Sequence, residues 1–419
     1  MHIIRPRYVS QLHQAINDKV SLILLHGGRW SWKTTLLKDL MTDHTLSQKK
    51  YYFSFDEDIV AKKFKNVDDF VWYMQIKYGI DFNQPNLLLL NEIQYSKDIL
   101  QIFNELLARN IRTQIIATGI IHTRSQEYQQ LIQSGYVRTI TVYPFSFFDF
   151  LDMKDIHTTY LSLQNPSQVV FKEIQWLFDE YMIRWWYPAV VTSSTQDRKQ
   201  QALRAIIQKV YDKDVWFYFN GDEILLFQDL FQSLCRQTMT GYNLKTLARE
   251  LDISLPLLKK YVTFFVDNCL IESIPYFYEN KKRELCHQEH VALSDTGLVS
   301  YMTKNYGSKL YDEKSIKNFI CIELLQHIAS DDVLMTYKKI NNSAIDFVIS
   351  HSDGTLTPIM VSDKNTTTVP KIYNKFSEYY GHRIRRYIKA TPLLAGQSIY
   401  REKDFVCVPY FMISKCFVE

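Results

Sequence analysis

Glycine is scarce in this chain. It occurs 12 times in 419 residues, whereas a usual share of about 7% would give about 29. A protein of this length needs residues that tolerate positive φ at its turns and helix ends, so the shortage raises the question of what stands at those positions. The six cysteines, Cys235, Cys269, Cys286, Cys321, Cys407 and Cys416, include no C-x-x-C pair. That scatter fits reduced thiols better than a disulfide framework or a zinc site. Cys286-His287 with His290 is the one group that resembles metal ligands. It lacks a fourth ligand nearby and reads as an exposed hairpin. No long run of like charges occurs and the net charge is +4, which permits nucleic-acid binding without arguing for it. No basic segment leading into an apolar one follows Met1, and no apolar run reaches membrane-spanning length. A cytoplasmic protein without a membrane partner is expected.

What is present describes a soluble globular protein, 46% hydrophobic and 22% charged, long enough for about two to four domains. Short apolar runs at Ser21–Leu25, Tyr51–Phe55, Leu87–Leu90, Gln114–Ala117 and Thr139–Tyr143 lack strict alternation, as buried strands of a parallel sheet do. Helical segments Leu36–Met41, Asp68–Lys77 and Asp98–Ala108 lie between them. The series predicts a doubly wound α/β domain over residues 1–152.

Residues 153–235 turn helical and aromatic and include FKEIQWLFDEYMIRWWYPAVV. Over 236–303, Leu244, Leu247 and Leu251 mark one amphipathic helix and Ile253-Ser254 a turn. Leu257–Val266 marks a second helix, followed by an apolar strand pair. That is a winged helix-turn-helix in outline. Its second helix carries only Lys259 and Lys260 as basic residues, so DNA and protein partners both stay open. Residues 304–419 combine a helix, Ile316–Ala329, with strands Val333–Tyr337, Ser343–Ile349 and Leu356–Val361, a small α/β domain.

The sharpest motif is HGGRWSWKTT, His26–Thr35, between the first strand and a helix. It has the layout G-x-x-x-x-G-K-[ST] of a phosphate-binding loop, with Trp32 where the second glycine belongs. Such a loop aims successive backbone N–H groups at phosphate, while a lysine and a hydroxyl serve phosphates and Mg²⁺. Lys33 and Thr34 supply those groups. In LLLLNEIQ, Leu87–Gln94, Asn91 stands where a Mg²⁺-organising aspartate belongs and Glu92 where a water-activating base belongs. QIIATG, Gln114–Gly119, offers Thr118 as the polar sensor of the γ-phosphate. The expected binding loop is Gly27, Gly28, Arg29, Trp30, Ser31, Trp32, Lys33, Thr34 and Thr35. The expected Mg²⁺ shell is Thr34 and Asn91, the catalytic pair Glu92 and Thr118, and the cofactors ATP and Mg²⁺.

These motifs, with Arg5–Tyr8, YPFSFFDFL, RWWYPAVV, ALSDTGL, NFICIELL, AIDFVIS and TPIMVSDKN, cover nearly the whole chain. They resemble the prokaryotic AAA-type ATPases in which a P-loop domain is joined to a winged helix and a C-terminal restriction-nuclease-like domain. The resemblance implies ATP binding and hydrolysis. It also exposes departures. Members typically carry Gly-Gly where this chain has Trp185-Trp186, and glycine before the lysine where it has Trp32. With glycine at 30 and 32 the loop becomes GGRGSGKTT. Four of the 7 tryptophans thus stand at glycine positions in a glycine-poor chain. The hypothesis is an alternative genetic code: the gene reads UGA as glycine, and the printed chain reads it as tryptophan. Asn91 has no such origin, and its lost charge predicts slow hydrolysis.

A nuclease of the resembled type needs two carboxylates and a lysine around a metal. Asp346 matches the first acid, but Met360 and Ser362 stand at the next two positions and Lys317 replaces the helix acid. An inactive, partner-binding domain is expected. The whole reads as an ATP-dependent switch or slow ATPase. The competing readings are a dead P-loop interaction protein, if Trp30 and Trp32 are genuine, and a Mg²⁺-dependent DNA nuclease.

Overall fold

A computed structural model describes residues 5–29, 31–57, 64–158, 161, 167–184, 190, 193, 195–210, 215, 219, 223–277, 289–295, 312–338 and 344–417. Trp30, Trp185, Trp186, Cys286 and His287 lie outside the described residues. Two compact units result, Met1–Pro144 with Asp267–Cys269, and Phe145–Val266 with Leu270–Glu419.

The first unit begins with α1 (Pro6–Asn17), whose proline fits the first helical turn because that N–H has no intrahelical partner. Then β1 (Leu22–His26), α2 (Lys33–Thr42), β2 (Lys50–Ser54), α3 (Val67–Tyr78), β3 (Leu87–Asn91), α4 (Ile99–Ala108), β4 (Gln114–Gly119), α5 (Gln126–Gln133) and β5 (Val137–Thr141) follow. The five strands form one sheet in the order β2-β3-β4-β1-β5, every pair parallel. Apolar side chains alternate between its faces. Leu22, Leu24, Leu88 and Leu90 meet α3 and α4 through Phe70, Met74, Ile102 and Phe103. Ile23, Leu25, Leu87 and Leu89 meet α1 and α2 through Leu12, Ile16, Leu36 and Leu37. Helices therefore cover both faces, which is why these strands read as continuous apolar runs.

The expected strand Thr139–Tyr143 is shifted to Val137–Thr141. Pairing with β1 starts at Leu22↔Val137 and ends at His26↔Thr141, and the Tyr143 N–H is instead taken by the Tyr8 hydroxyl at 3.1 Å. The helix that contains the Leu36–Met41 segment opens at Lys33, directly after the loop.

The second unit carries α6 (Phe147–Met153), α7 (Gln168–Arg184), α8 (Gln196–Lys209) and α9 (Glu223–Arg236). Next come β6 (Gly241–Tyr242), α10 (Leu244–Glu250), α11 (Leu255–Asp267, its last residue in the first unit), β7 (Ile271–Ile274) and β8 (Glu289–Leu293). The Asn243 side chain caps α10 by accepting from Lys245 and Thr246 N–H groups. The three short strands form an antiparallel sheet, β6-β8-β7. The chain continues through α12 (Glu313–His327), β9 (Val333–Lys338), β10 (Ala344–Ser350), β11 (Leu356–Val361), α13 (Lys371–Tyr380), β12 (Arg386–Thr391), β13 (Gly396–Tyr400) and β14 (Lys403–Pro409). These last strands make a mixed six-stranded sheet, β13-β14-β12-β11-β10-β9.

Within this unit an aromatic cluster joins distant segments. Phe147 packs edge-to-face on Phe178 and Tyr181, Phe178 does so on Phe319, and Phe411 closes the group. The buried Glu323 carboxylate accepts the Phe147 N–H at 2.8 Å, satisfying a helix-start donor that carries partial positive charge. Asn318 imitates a neighbouring strand. Its amide accepts the Leu293 N–H at 2.7 Å and donates to the Leu293 carbonyl at 2.8 Å. Asn318→Leu would strand both buried backbone groups. A loss of about 2–4 kcal/mol is expected in urea unfolding, against little change for a substitution at exposed Lys314.

Candidate nucleotide-binding site

The loop between β1 and α2 is shaped by close approach. A Cβ added to Gly27 would lie 2.4 Å from the Val142 carbonyl oxygen, so any other residue forces the backbone apart. At its end, Trp32 caps α2 with φ 71 and ψ 18, in the left-handed region. For a bulky aromatic that backbone is an outlier. For glycine it is ordinary.

Inside the curl sits the Lys33 ammonium. It donates to the carbonyls of Gly27 and Gly28, each at 2.7 Å, with Ser31 Oγ at 3.5 Å. His26, the last strand residue, is buried beneath it. Burial first and the Lys33 charge second push its imidazole down to about 4, so the ring is neutral near pH 7. Its Nε2 lies 3.1 Å from Cys269 Sγ. The same short segment pairs Asp267 with His122 at 2.9 Å.

Across the loop, three of the expected residues converge. Thr34 Oγ1 and Thr118 Oγ1 each donate to Asn91 Oδ1 at 2.9 Å, and Asn91 Nδ2 donates to Ser54 Oγ at 2.9 Å. Ser54 in turn donates to Asp56 at 2.6 Å. Asn91 is thus the hub that ties α2, β2, β3 and β4 at their loop ends. Asp56 carries only a faint sequence signal, an acidic step, Asp56-Glu57, separated from β2 by Phe55. Glu92 takes a left-handed backbone, φ 57, and starts a short helical turn, Ile93–Tyr95. Its Oε2 accepts from Gln94 at 2.5 Å and lies 3.7 Å from Arg29. Thr35 stands in the first turn of α2. Trp30 lies outside the described residues.

The arrangement fits a nucleotide with Mg²⁺. The hydroxyl and amide oxygens are hard donors, and Mg²⁺ in such sites takes most of its remaining shell from water and phosphates. No group of three His, Cys, Asp or Glu that could hold a metal occurs among the described residues. No disulfide links the described cysteines either.

In the second unit, Asp346 lies at an irregularity of β10. Its Oδ2 accepts the Val361 N–H at 2.8 Å, and its Oδ1 meets Lys317 Nζ at 2.7 Å. Lys317 also contacts Glu313 at 2.6 Å. Burial alone would lower the Lys317 ammonium, but Asp346 and Glu313 raise it overall. A lysine therefore neutralises the one acid that matched a nuclease centre. No described helix is long and apolar enough to cross a membrane.

The profile of the AAA domain matches residues 19–151, and that of a domain of unknown function, DUF8612, matches 175–309. An uncharacterized protein of Haemophilus influenzae is 24% identical over 362 residues, 84% of each chain. An uncharacterized protein of Methanocaldococcus jannaschii is 32% identical over 166 residues, 38% of this chain and 32% of its own length. The solved structure of Drosophila ORC bound to GC-rich DNA and Cdc6 aligns at TM-score 0.25 and 13% identity, covering 71% of this chain and 90% of that one. A superposition at that score defines no shared fold.

The loop geometry makes one test available. Gly27→Ala should displace the β5 exit or the loop and cost about 1–3 kcal/mol of stability, read by thermal unfolding. Unchanged stability would contradict a steric limit set by Val142. A parallel sheet, a phosphate-loop layout and the profile match agree on one segment: residues 19–151 match the AAA domain, a P-loop nucleotide-binding type.

Proposed function

We propose that the protein is an ATP-dependent switch that hydrolyses slowly and carries glycine at positions 30 and 32 in the cell. The observation that carries this reading is the left-handed backbone of Trp32 at the start of α2. A side chain there adds strain of about 1–3 kcal/mol at the point where phosphate must approach the backbone. Random decay would scatter many residue types over such sites, whereas tryptophan alone stands at 30, 32, 185 and 186.

ATP with Mg²⁺ would supply the transferable phosphoryl group. Lys33, now resting on two loop carbonyls, would turn its ammonium to the phosphates. Thr34 and Asn91 would serve the Mg²⁺ shell, and Thr118, one hydrogen bond from Asn91, would meet the γ-phosphate. Glu92 would accept the proton of the attacking water. The neutral Asn91 weakens the field at the metal, which is the basis for slow turnover.

The domains in this reading are 1–152 for the ATPase, 153–235 for a helical region, 236–303 for a winged helix and 304–419 for a nuclease-like module. The helices α10 and α11 followed by β7 and β8 support the third, and the mixed sheet with α12 and α13 supports the fourth. A DNA or protein partner would bind through these last two. The Lys317–Asp346 pair argues against metal-dependent cleavage.

A second reading, a dead P-loop interaction protein, is favoured by Asn91 and holds if the tryptophans are genuine. Two measurements separate them. The codons at 30, 32, 185 and 186 are expected to be UGA, and UGG at 32, 185 and 186 would refute the recoding. In titrations, the W30G/W32G protein should bind ATP at least about tenfold more tightly than the chain as written, and K33A should abolish the gain. Equal affinity would favour the second reading. In the same background, N91D should raise Mg²⁺-dependent turnover on the order of tenfold, measured as phosphate release.

A further inference from the structure

Glu92 is held, and by two different parts of the site. Gln94 Nε2 donates to its Oε2 at 2.5 Å, while Arg29 approaches the same oxygen at 3.7 Å. Gln94 is itself fixed, because its Oε1 accepts the Ile120 N–H at 3.2 Å just beyond β4. Gly119 makes room for it. A Cβ there would lie 2.5 Å from that oxygen. Arg29 is placed differently: it belongs to the loop, next to Gly28, and also donates to the Tyr95 hydroxyl at 3.3 Å. Arg29 and Glu92 are both mostly shielded, 15% and 18% exposed, so their attraction is only partly screened.

We propose that Arg29 is a positioning residue that latches Glu92 until a triphosphate occupies the loop, a step that rests on the nucleotide-binding reading above. A guanidinium matches phosphate oxygens in a planar, two-pronged geometry and meets more negative charge there than on one carboxylate. An anion arriving beside Gly28 competes for Arg29 directly. Gln94 stays in place through Ile120, so release leaves Glu92 oriented by a neutral donor and no longer paired with a cation. Substrate binding thus separates Glu92 from its cation, and an empty site keeps the pair together.

The test is a double-mutant cycle read by binding, using a non-hydrolysable ATP analogue with Mg²⁺ and the full chain carrying W30G and W32G. Calorimetric titration compares this parent with E92Q, R29Q and the double variant. E92Q should free Arg29 and tighten binding roughly five-fold, and the gain should vanish in the R29Q background. An equal gain in both backgrounds, as simple removal of a negative charge would give, overturns the latch, and so does no gain in either. K33A distinguishes the two levels of failure. If the parent binds and K33A does not, the loop reading stands whatever the cycle shows. If the parent does not bind, both readings fall.

Discussion

One backbone conformation governs the rest of the site. At residue 32 the chain must turn through the left-handed region to carry the loop into α2, and only then do Lys33 and Thr34 open a helix whose N-terminus faces the loop. Glycine adopts that backbone without a steric penalty; tryptophan does not. The turn is imposed from both sides. Behind it, β1 is locked between β4 and β5. Ahead of it, Leu36 and Leu37 are anchored in the core under the sheet. A strained residue can persist between two such anchors, which is how a tryptophan is held in a glycine conformation.

Around that turn the polar side chains divide into two groups. Asn91 joins Thr34, Thr118 and Ser54 in a chain of hydroxyls and an amide, neutral in these four members, buried at its centre and ending on Asp56. Glu92 belongs to the other group, with Arg29 and Gln94. Adjacent residues on one strand end thus serve opposite needs. The neutral hub positions hydroxyls without fixing charge near the lysine, while the charged group is kept compensated beside it. Replacing an expected aspartate by Asn91 keeps the first group's geometry and gives up its charge.

Much of this was legible in the sequence because it leaves local traces. The five buried strands appear as apolar runs, and the loop, Asn91, Glu92 and Thr118 follow from their distances to those runs. Other parts leave no such trace. Gln94 and Asp56 matter through side-chain contacts to Glu92 and Ser54 that no periodicity encodes. Cys269 and Asp267 reach His26 and His122 from more than a hundred residues away in the chain. Asn318 looks like any polar helix residue until Leu293 is found beside it. Lys317 was legible as a departure, but its pairing with Asp346 needed the fold. Strand ends were the weakest point, as β5 illustrates, since Tyr8 decides where its ladder stops.

The central claim is that position 32 is glycine in the protein the cell makes. Mass spectrometry of the natural protein tests it most directly, on the Asp18–Lys38 peptide released by cleavage before aspartate. The mass predicted is that of a peptide with glycine at both 30 and 32. A peptide with tryptophan at both positions would contradict the claim and leave the loop a strained remnant.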